Sequence, residues 1–165
     1  MSTQTNLRRD RDRDHEGRPR NARPRDAFGR PLPHGAAGVP RIPADYAPDA
    51  ETAIAHAARL LDEERPFLAH EVLEARWKTG PPAERDLWQG LAQICVGLTH
   101  LQRENLVGAA RLLARGADRI SGYPARQPYG VDLDETARVA RLLAGTGSDP
   151  SCAIAVVRRV LAGDG

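Results

Sequence analysis

ERDLWQGLAQICVGLTHLQ, residues 84–102, is a helix-length segment with apolar side chains on nearly every side. At about 100° per residue, one side of the helix carries Trp88, Ala92 and Cys95. Another side carries a row of five aliphatic residues: Leu87, Leu91, Ile94, Leu98 and Leu101. A helix that is apolar all round is typical of the centre of a domain. The segment therefore predicts a buried central helix over about 83–102.

The segments on either side of this helix are also periodic like helices, and none shows sustained alternation of β-branched and polar residues. Before the central helix, the pattern predicts helices over about 49–64 and 66–78, separated at Pro66. After it, capping and start signals predict three more: one capped by Asn105 that ends near Gly122, one from Asp132 or Asp134 through Leu143, and one that starts at Ser148 to Pro150. The sequence predicts an all-α fold, a compact bundle of about five to six helices.

The chain of 165 residues divides by composition into two parts. Residues 1–48 are dense in Arg, Asp, Pro and Gly, and too few apolar residues are present to offset the entropy of ordering the chain. We expect a disordered N-terminal arm over 1–48, although Phe28 and Leu32 can lie across the domain surface. Residues 49–165 form the predicted helical domain.

The net charge of +2 is unevenly distributed between these parts. The arm has ten Arg against six acidic residues, and residues 49–165 have fourteen basic against sixteen acidic residues. A mildly acidic domain argues against a nucleic-acid interface, which needs clustered Lys and Arg. Nucleic acid is expected only through the Arg-rich arm, where the alternating Asp residues cancel much of the field.

The two cysteines, Cys95 and Cys152, have apolar neighbours in the sequence and form no C-x-x-C pair. We expect both to be buried free thiols in a reducing compartment. No run approaches the length of a membrane span, and the charged N-terminus has no apolar stretch like that of a signal peptide. These features predict a soluble, cytoplasmic protein with no membrane partner. A homodimer stays open, because glycine-lined helices can pack against a second copy.

FLAHEVLEARW, residues 67–77, places a histidine and a glutamate on the apolar face of the second helix. His70, Glu74 and Trp77 fall within about 60° of one another. A buried carboxylate must be paired, protonated, hydrogen-bonded or bound to a cation. The central helix offers a polar stripe that we expect to face this one. The resulting candidate site contains His70, Glu71, Glu74, Trp77, Gln93 and His100, with Phe67 as an apolar wall.

Two interpretations of this constellation stay open. His70, Glu74 and His100 are a plausible ligand set for one divalent metal ion, zinc, manganese or iron. A hydrolase is the extension of this interpretation, with Glu71 or Glu74 as the proton acceptor. Alternatively, Glu74 accepts a hydrogen bond from His70 in a closed structural network completed by Gln93 or His100. HEVLE lacks the second histidine of an H-E-x-x-H metallopeptidase motif.

FLAHEVLEARW together with ERDLWQGLAQICVGLTHLQRENLVGAARLLARGADRI resembles the domain-of-unknown-function 309 family of small all-helical bacterial and archaeal proteins. The resemblance covers about residues 50–120. The family's hallmark is a His, three residues, an acidic residue, two residues and an aromatic residue, which here are His70, Glu74 and Trp77. The resemblance implies a helical fold and a candidate metal site, with no established activity.

A looser similarity joins GLTHLQRENLVGAARLLARGADRI, residues 97–120, to half of a tetratricopeptide-type hairpin. Such repeats have small residues where antiparallel helices cross, and they need several units to be stable. One copy is visible. This similarity implies a non-enzymatic interaction module whose helical groove binds a peptide, with the arm as an occupant in cis.

Overall fold

The computed structural model describes residues 23–163, and the expectation of disorder for residues 1–22 lies outside that range. Six α-helices follow one another along the described chain: α1 Ala50–Asp62, α2 Pro66–Thr79, α3 Arg85–Gln102, α4 Leu106–Ser121, α5 Leu133–Thr146 and α6 Pro150–Leu161. Short 3₁₀ turns at Pro82–Glu84 and Pro128–Gly130 precede α3 and α5. Within residues 23–163 no β-strand forms, and the predicted all-α fold is confirmed.

The start of each of four helices is fixed by a side chain that accepts a hydrogen bond from a backbone N–H of the first turn. Asn105 accepts from Gly108 N at 3.0 Å, as its position in the sequence predicted. Asp132, rather than Asp134, caps α5. Asp49 and Asp149 cap α1 and α6 in the same way.

The central position of α3 is confirmed by its burial and its neighbours. The helix packs against α2 on one side and α4 on the other, while α5 covers α4 and α6 lies against α1. Trp88 has no exposed surface, and the five aliphatic residues of its row are also buried. The contact between α2 and α3 therefore lies near the surface of the bundle, and residues 23–48 cross that surface.

Glycines set the distance between α3 and α4. A Cβ atom at Gly116 would lie 2.7 Å from the carbonyl oxygen of Gly90 and 3.1 Å from the backbone N of Ile94. A Cβ at Gly97 would meet Leu113 Cγ at 2.7 Å. Only residues without a Cβ allow the two backbones to approach this closely.

Glu84 joins the start of α3 to α2 and to the loop before α5. Its carboxylate accepts hydrogen bonds from Arg76 Nη2 at 2.9 Å, Trp88 Nε1 at 2.7 Å and the Tyr129 hydroxyl at 2.5 Å. The Tyr129 ring stacks on that of Trp88, with centroids 5.8 Å apart. These donors hold the pKa of Glu84 below its usual value, although burial acts in the opposite direction as the largest single cause.

The two cysteines occupy different environments. Cys95 is buried in α3, where loss of solvation raises the pKa of its thiol to about 12. Cys152 is exposed, and the expectation that it is buried is wrong. It lies in the first turn of α6, whose apolar residues 153, 154 and 157 turn toward the core while position 152 faces outward.

Among residues 23–163, none of the helices combines the length and hydropathy that crossing a bilayer requires.

Candidate functional site

His70 and Glu74 lie on the face of α2 that meets α3, one helical turn apart. The Phe67 carbonyl oxygen accepts a hydrogen bond from His70 Nδ1, so Nδ1 carries the proton and Nε2 of a neutral ring presents its lone pair. Nε2 lies 3.7 Å from Glu74 Oε2. The imidazole therefore points an unprotonated nitrogen toward a carboxylate oxygen.

Burial disfavours the protonated form of the His70 imidazole. The side chain is only 17% exposed, and the Phe67 ring lies against it with centroids 4.8 Å apart. Loss of solvation lowers the pKa of His70 and outweighs the opposing effects of the Phe67 carbonyl and of the carboxylates of Glu74 and Glu71. A neutral imidazole is the form that binds metal ions and accepts protons.

The Glu74 carboxylate lies between His70 and the solvent. Its Oε1 lies 2.8 Å from Lys78 Nζ, one turn further along α2, while Oε2 faces His70. The Glu74 side chain is 34% exposed, so the carboxylate is half-buried rather than enclosed. One of its oxygens is thus held by a cation, and the other is directed toward the imidazole.

The polar stripes of α2 and α3 meet, as the sequence predicted for Gln93. A cavity of about 290 Å³ opens to the surface beside the two helices, and His70, Glu74, Trp77 and Gln93 all line it. Arg119 of α4 also lines it, and its guanidinium donates to Asp86 and Gln89. Gln93 Oε1 is buried and has no hydrogen-bond partner among residues 23–163. Nitrogen and oxygen acceptors from both helices therefore face one space.

Glu71 lies beside this cavity, and the N-terminal segment neutralises its charge. Its side chain is 8% exposed, and Arg41 donates to Oε1 from Nε at 3.1 Å and from Nη2 at 2.5 Å. The backbone N–H of Ile42 lies 3.4 Å from Oε2. Glu71 is thus fixed at the edge of the site by residues that the sequence placed in a disordered arm.

This helix pair lies in the part of the chain that matches a known protein family. The model of a domain of unknown function, DUF309, matches residues 54–112, most of α1 through the first half of α4. Residues 54–112 match DUF309. The resemblance expected from the sequence is confirmed over that range, which includes His70, Glu74 and Trp77.

One curated relative shares part of this chain. YpuF of Bacillus subtilis (strain 168), an uncharacterised protein, is 47% identical over 49 residues. These residues make up 29% of this chain and 28% of YpuF, so the chain spans little more than a quarter of its relative's length. No solved structure shows significant similarity to the chain.

His100, the third candidate metal ligand, lies within the DUF309 match but apart from the other two. Its Nδ1 lies 2.8 Å from Asn105 Nδ2 at the end of α3. His100 and Gln93 share a side of the helix, but seven residues separate them by about 10 Å along its axis. Among the described residues, no three His, Cys, Asp or Glu side chains are grouped so that they could hold a metal ion.

Residues 23–48, which precede the DUF309 match, lie across α2 and the end of α3. Besides the Arg41 contact with Glu71, Arg103 Nε donates to the Phe28 carbonyl at 2.7 Å, and the Arg25 guanidinium lies 5.5 Å from the centre of the Phe67 ring. Gly29 packs so closely on Phe67 that a Cβ atom would overlap the ring. Arg25 and Arg41 are site residues that were not predicted from the sequence. The less repetitive composition of NARPRDAFGRPLP, residues 21–33, was a signal for Arg25.

Proposed function

We propose that the cavity between α2 and α3 binds one divalent metal ion, zinc, manganese or iron, through His70 Nε2 and Glu74 Oε2. The observation that supports this proposal is the 3.7 Å separation of these two atoms in a cavity that opens to the surface. Two ligands about 2.1 Å from a tetrahedral metal are about 3.4 Å apart, so the observed separation is within a few tenths of an ångström of that required.

The same geometry argues against the closed structural network. A hydrogen bond from nitrogen to oxygen has a length of about 2.7 to 3.2 Å, which the His70–Glu74 contact exceeds. Gln93 Oε1, which that network would have satisfied, is buried and has no partner in the part of the chain that the structure describes. A network that exists to satisfy buried polar atoms should leave none of these unpaired.

Gln93 replaces His100 in the proposed ligand set, because its unpartnered oxygen lines the same cavity. Water would complete the coordination, and a metal held this way supplies Lewis acidity or an activated water. Of the two carboxylates considered as proton acceptors, Glu71 is engaged by Arg41. The proposal is therefore one of metal binding, and a hydrolase is an extension that requires a demonstrated substrate.

Metal content tests the proposal directly. We expect near-stoichiometric metal in the tag-free full chain by elemental analysis, and loss of that metal both in a chelator-treated sample and in the His70→Ala, Glu74→Ala double variant. His100→Ala is the matched control and should retain its metal. The absence of metal from the wild type, together with no change in Tm on adding zinc, manganese or iron, would refute the proposal.

A second function, a helical interaction module, is supported by a different observation. Residues 23–48 lie on the α2–α3 surface through contacts at Glu71, Phe67 and Arg103, as a peptide ligand bound in cis would. A covalently attached segment competes with a free peptide at a high effective concentration.

Competition between the attached segment and a free peptide tests whether the α2–α3 surface is a peptide-binding module. A synthetic peptide of residues 23–48 should bind the full-length Gly29→Val, Arg41→Ala variant more tightly than the wild type, as measured by isothermal titration calorimetry. Equal or undetectable binding to both proteins would exclude the module.

A further inference from the structure

Residues 23–48 hold Glu71, a carboxylate that lies next to the proposed metal site. Glu71 follows His70 in the chain and lies about one helical turn before Glu74. At about 100° per residue, Glu74 falls between His70 and Glu71 around the helix axis. All three side chains line a second cavity, of about 200 Å³, together with Arg41. The charge of Glu71 therefore acts on any cation that its two neighbours bind.

Residues 23–48 neutralise the negative charge of Glu71 while they lie on α2. Two nitrogens of Arg41 donate to Oε1, and the backbone N–H of Ile42 points at Oε2. The Glu71 side chain is buried, so solvent screens its pairing with Arg41 only weakly. If residues 23–48 left α2, these donors would leave with them. A full negative charge would then remain next to Glu74.

Arg25, which belongs to the same segment, also opposes positive charge at His70. Burial is the main cause that lowers the pKa of His70, and Arg25 adds to that lowering, whereas the carboxylates of Glu74 and Glu71 oppose it. A metal ion bound at Nε2 is positive too, so the same signs apply to it. Because Asp26 offsets part of the Arg25 charge, we expect Glu71 to have the larger effect.

We propose that residues 23–48 regulate the metal site: by pairing Arg41 with Glu71 they weaken cation binding at His70 and Glu74, and a bound cation loosens them in turn. Two ligands that bind one protein change each other's affinity by the same factor, and the attached segment acts here as the second ligand. Couplings between sites are typically about fivefold or more, and we expect that magnitude here. The coupling rests on the metal site proposed above and adds its regulation.

The zinc affinity of the full chain tests this coupling. Zinc chloride is titrated into metal-free, chelator-free protein at constant pH and ionic strength, and binding is measured by isothermal titration calorimetry. Arg41→Gln should bind zinc roughly fivefold more tightly than the wild type, because it frees the Glu71 carboxylate. Arg30→Gln removes the same charge from an exposed position of the same segment and should leave the affinity unchanged. In the Arg41→Gln, Glu71→Gln double variant the affinity should return to the wild-type value.

Amide hydrogen exchange supplies the reciprocal measurement. Saturating zinc should speed exchange within residues 23–48 of the wild type, and it should have no such effect in the double variant. Should Arg41→Gln fail to fold, this measurement on the wild type decides. Zinc that binds the wild type and Arg41→Gln equally, without faster exchange, would overturn the coupling and leave the metal site standing. An equal gain in affinity in the double variant would also overturn it, because Glu71 would then play no part. A wild type that binds no zinc would refute both the metal site and its regulation.

Discussion

Replacing Gly116 by alanine should have two opposing effects on stability. It raises helix propensity, and it adds an atom where α3 and α4 approach each other closely. In an isolated helix this change stabilises by about 1 kcal/mol, because glycine is the more flexible residue. Here the added Cβ would lie 2.7 Å from the Gly90 carbonyl oxygen and 3.1 Å from the backbone N of Ile94. Both neighbours are backbone atoms in a helix, so neither can rotate away and the two helices must separate.

The size of the effect follows from these two terms. Overpacking of a tight core costs typically about 1 to 3 kcal/mol, and rigid backbone on the opposite side favours the upper part of that range. After subtraction of the propensity gain, we expect Gly116→Ala to lower the free energy of unfolding by about 1 to 2 kcal/mol. For a domain of this size that corresponds to a decrease in Tm of about 4 °C per kcal/mol.

Urea denaturation followed by circular dichroism measures this change, and Gly145→Ala is its control. Gly145 is in α5, and a Cβ there would meet no atom of the described residues within 4 Å. Only the propensity term acts at that position, so we expect Gly145→Ala to stabilise by up to about 1 kcal/mol. If Gly116→Ala were as stable as Gly145→Ala, the glycine contact would not set the spacing of the helices.

Three further predictions concern acid, the Glu84 contacts and the N-terminal segment. Burial is the main cause that lowers the pKa of each histidine of the helical domain below its usual value of 6.5. Because the unfolded chain then takes up protons at a higher pH than the folded chain, the urea midpoint should fall as pH decreases from about 6.5. A midpoint that stays constant between pH 7.5 and 5.5 would contradict this. Glu84→Ala leaves the buried indole N–H of Trp88 without its acceptor and should destabilise by about 1 to 3 kcal/mol in urea denaturation, whereas an unchanged midpoint would mean that water replaces the carboxylate. Gly29→Ala should speed tryptic cleavage within residues 23–48 more than Gly35→Ala does, since both glycines have positive φ but only Gly29 packs on Phe67; equal rates would show that this packing does not hold the segment.

The helices were predictable because their signals are local. The aliphatic row of α3 and the cap at Asn105 depend on residues within a few turns of one another, and both are found in the structure. The beginning of α3 differs slightly, because Pro82–Glu84 form a 3₁₀ turn and the α-helix begins at Arg85. Such differences of one or two residues are usual at helix ends.

The sequence predicted how the candidate site residues are rotated about their helix axes, but not how far apart they lie along those axes. A helical wheel correctly turned Gln93 toward His70 and Glu74, because the angle between residues on a helix is fixed. The wheel ignores the rise along the axis, so it also grouped His100, which lies two turns away beside Asn105. Distances along the axis require the register between two helices, which their sequences alone do not supply.

The contacts of residues 23–48 were not predictable from periodicity. Arg41 meets Glu71 across 30 positions, and Arg103 meets Phe28 across 75. An irregular segment has no repeat that indicates which of its faces is buried. The Arg and Asp content of the arm suggested full solvation, whereas Arg41 is balanced by an acidic residue of α2.

Because the two cysteines lie in different environments, their modification by a thiol reagent reports on opening of the core. A thiol-modifying reagent can reach Cys152 in the native state, while Cys95, with a thiol pKa of about 12, stays inert until α3 separates from its neighbours. When closing is faster than modification, the labelling rate of Cys95 is the intrinsic rate multiplied by the fraction of molecules that are open. The free energy of that opening can therefore be read from mass spectra in plain buffer, without denaturant, and compared directly between samples with and without added metal.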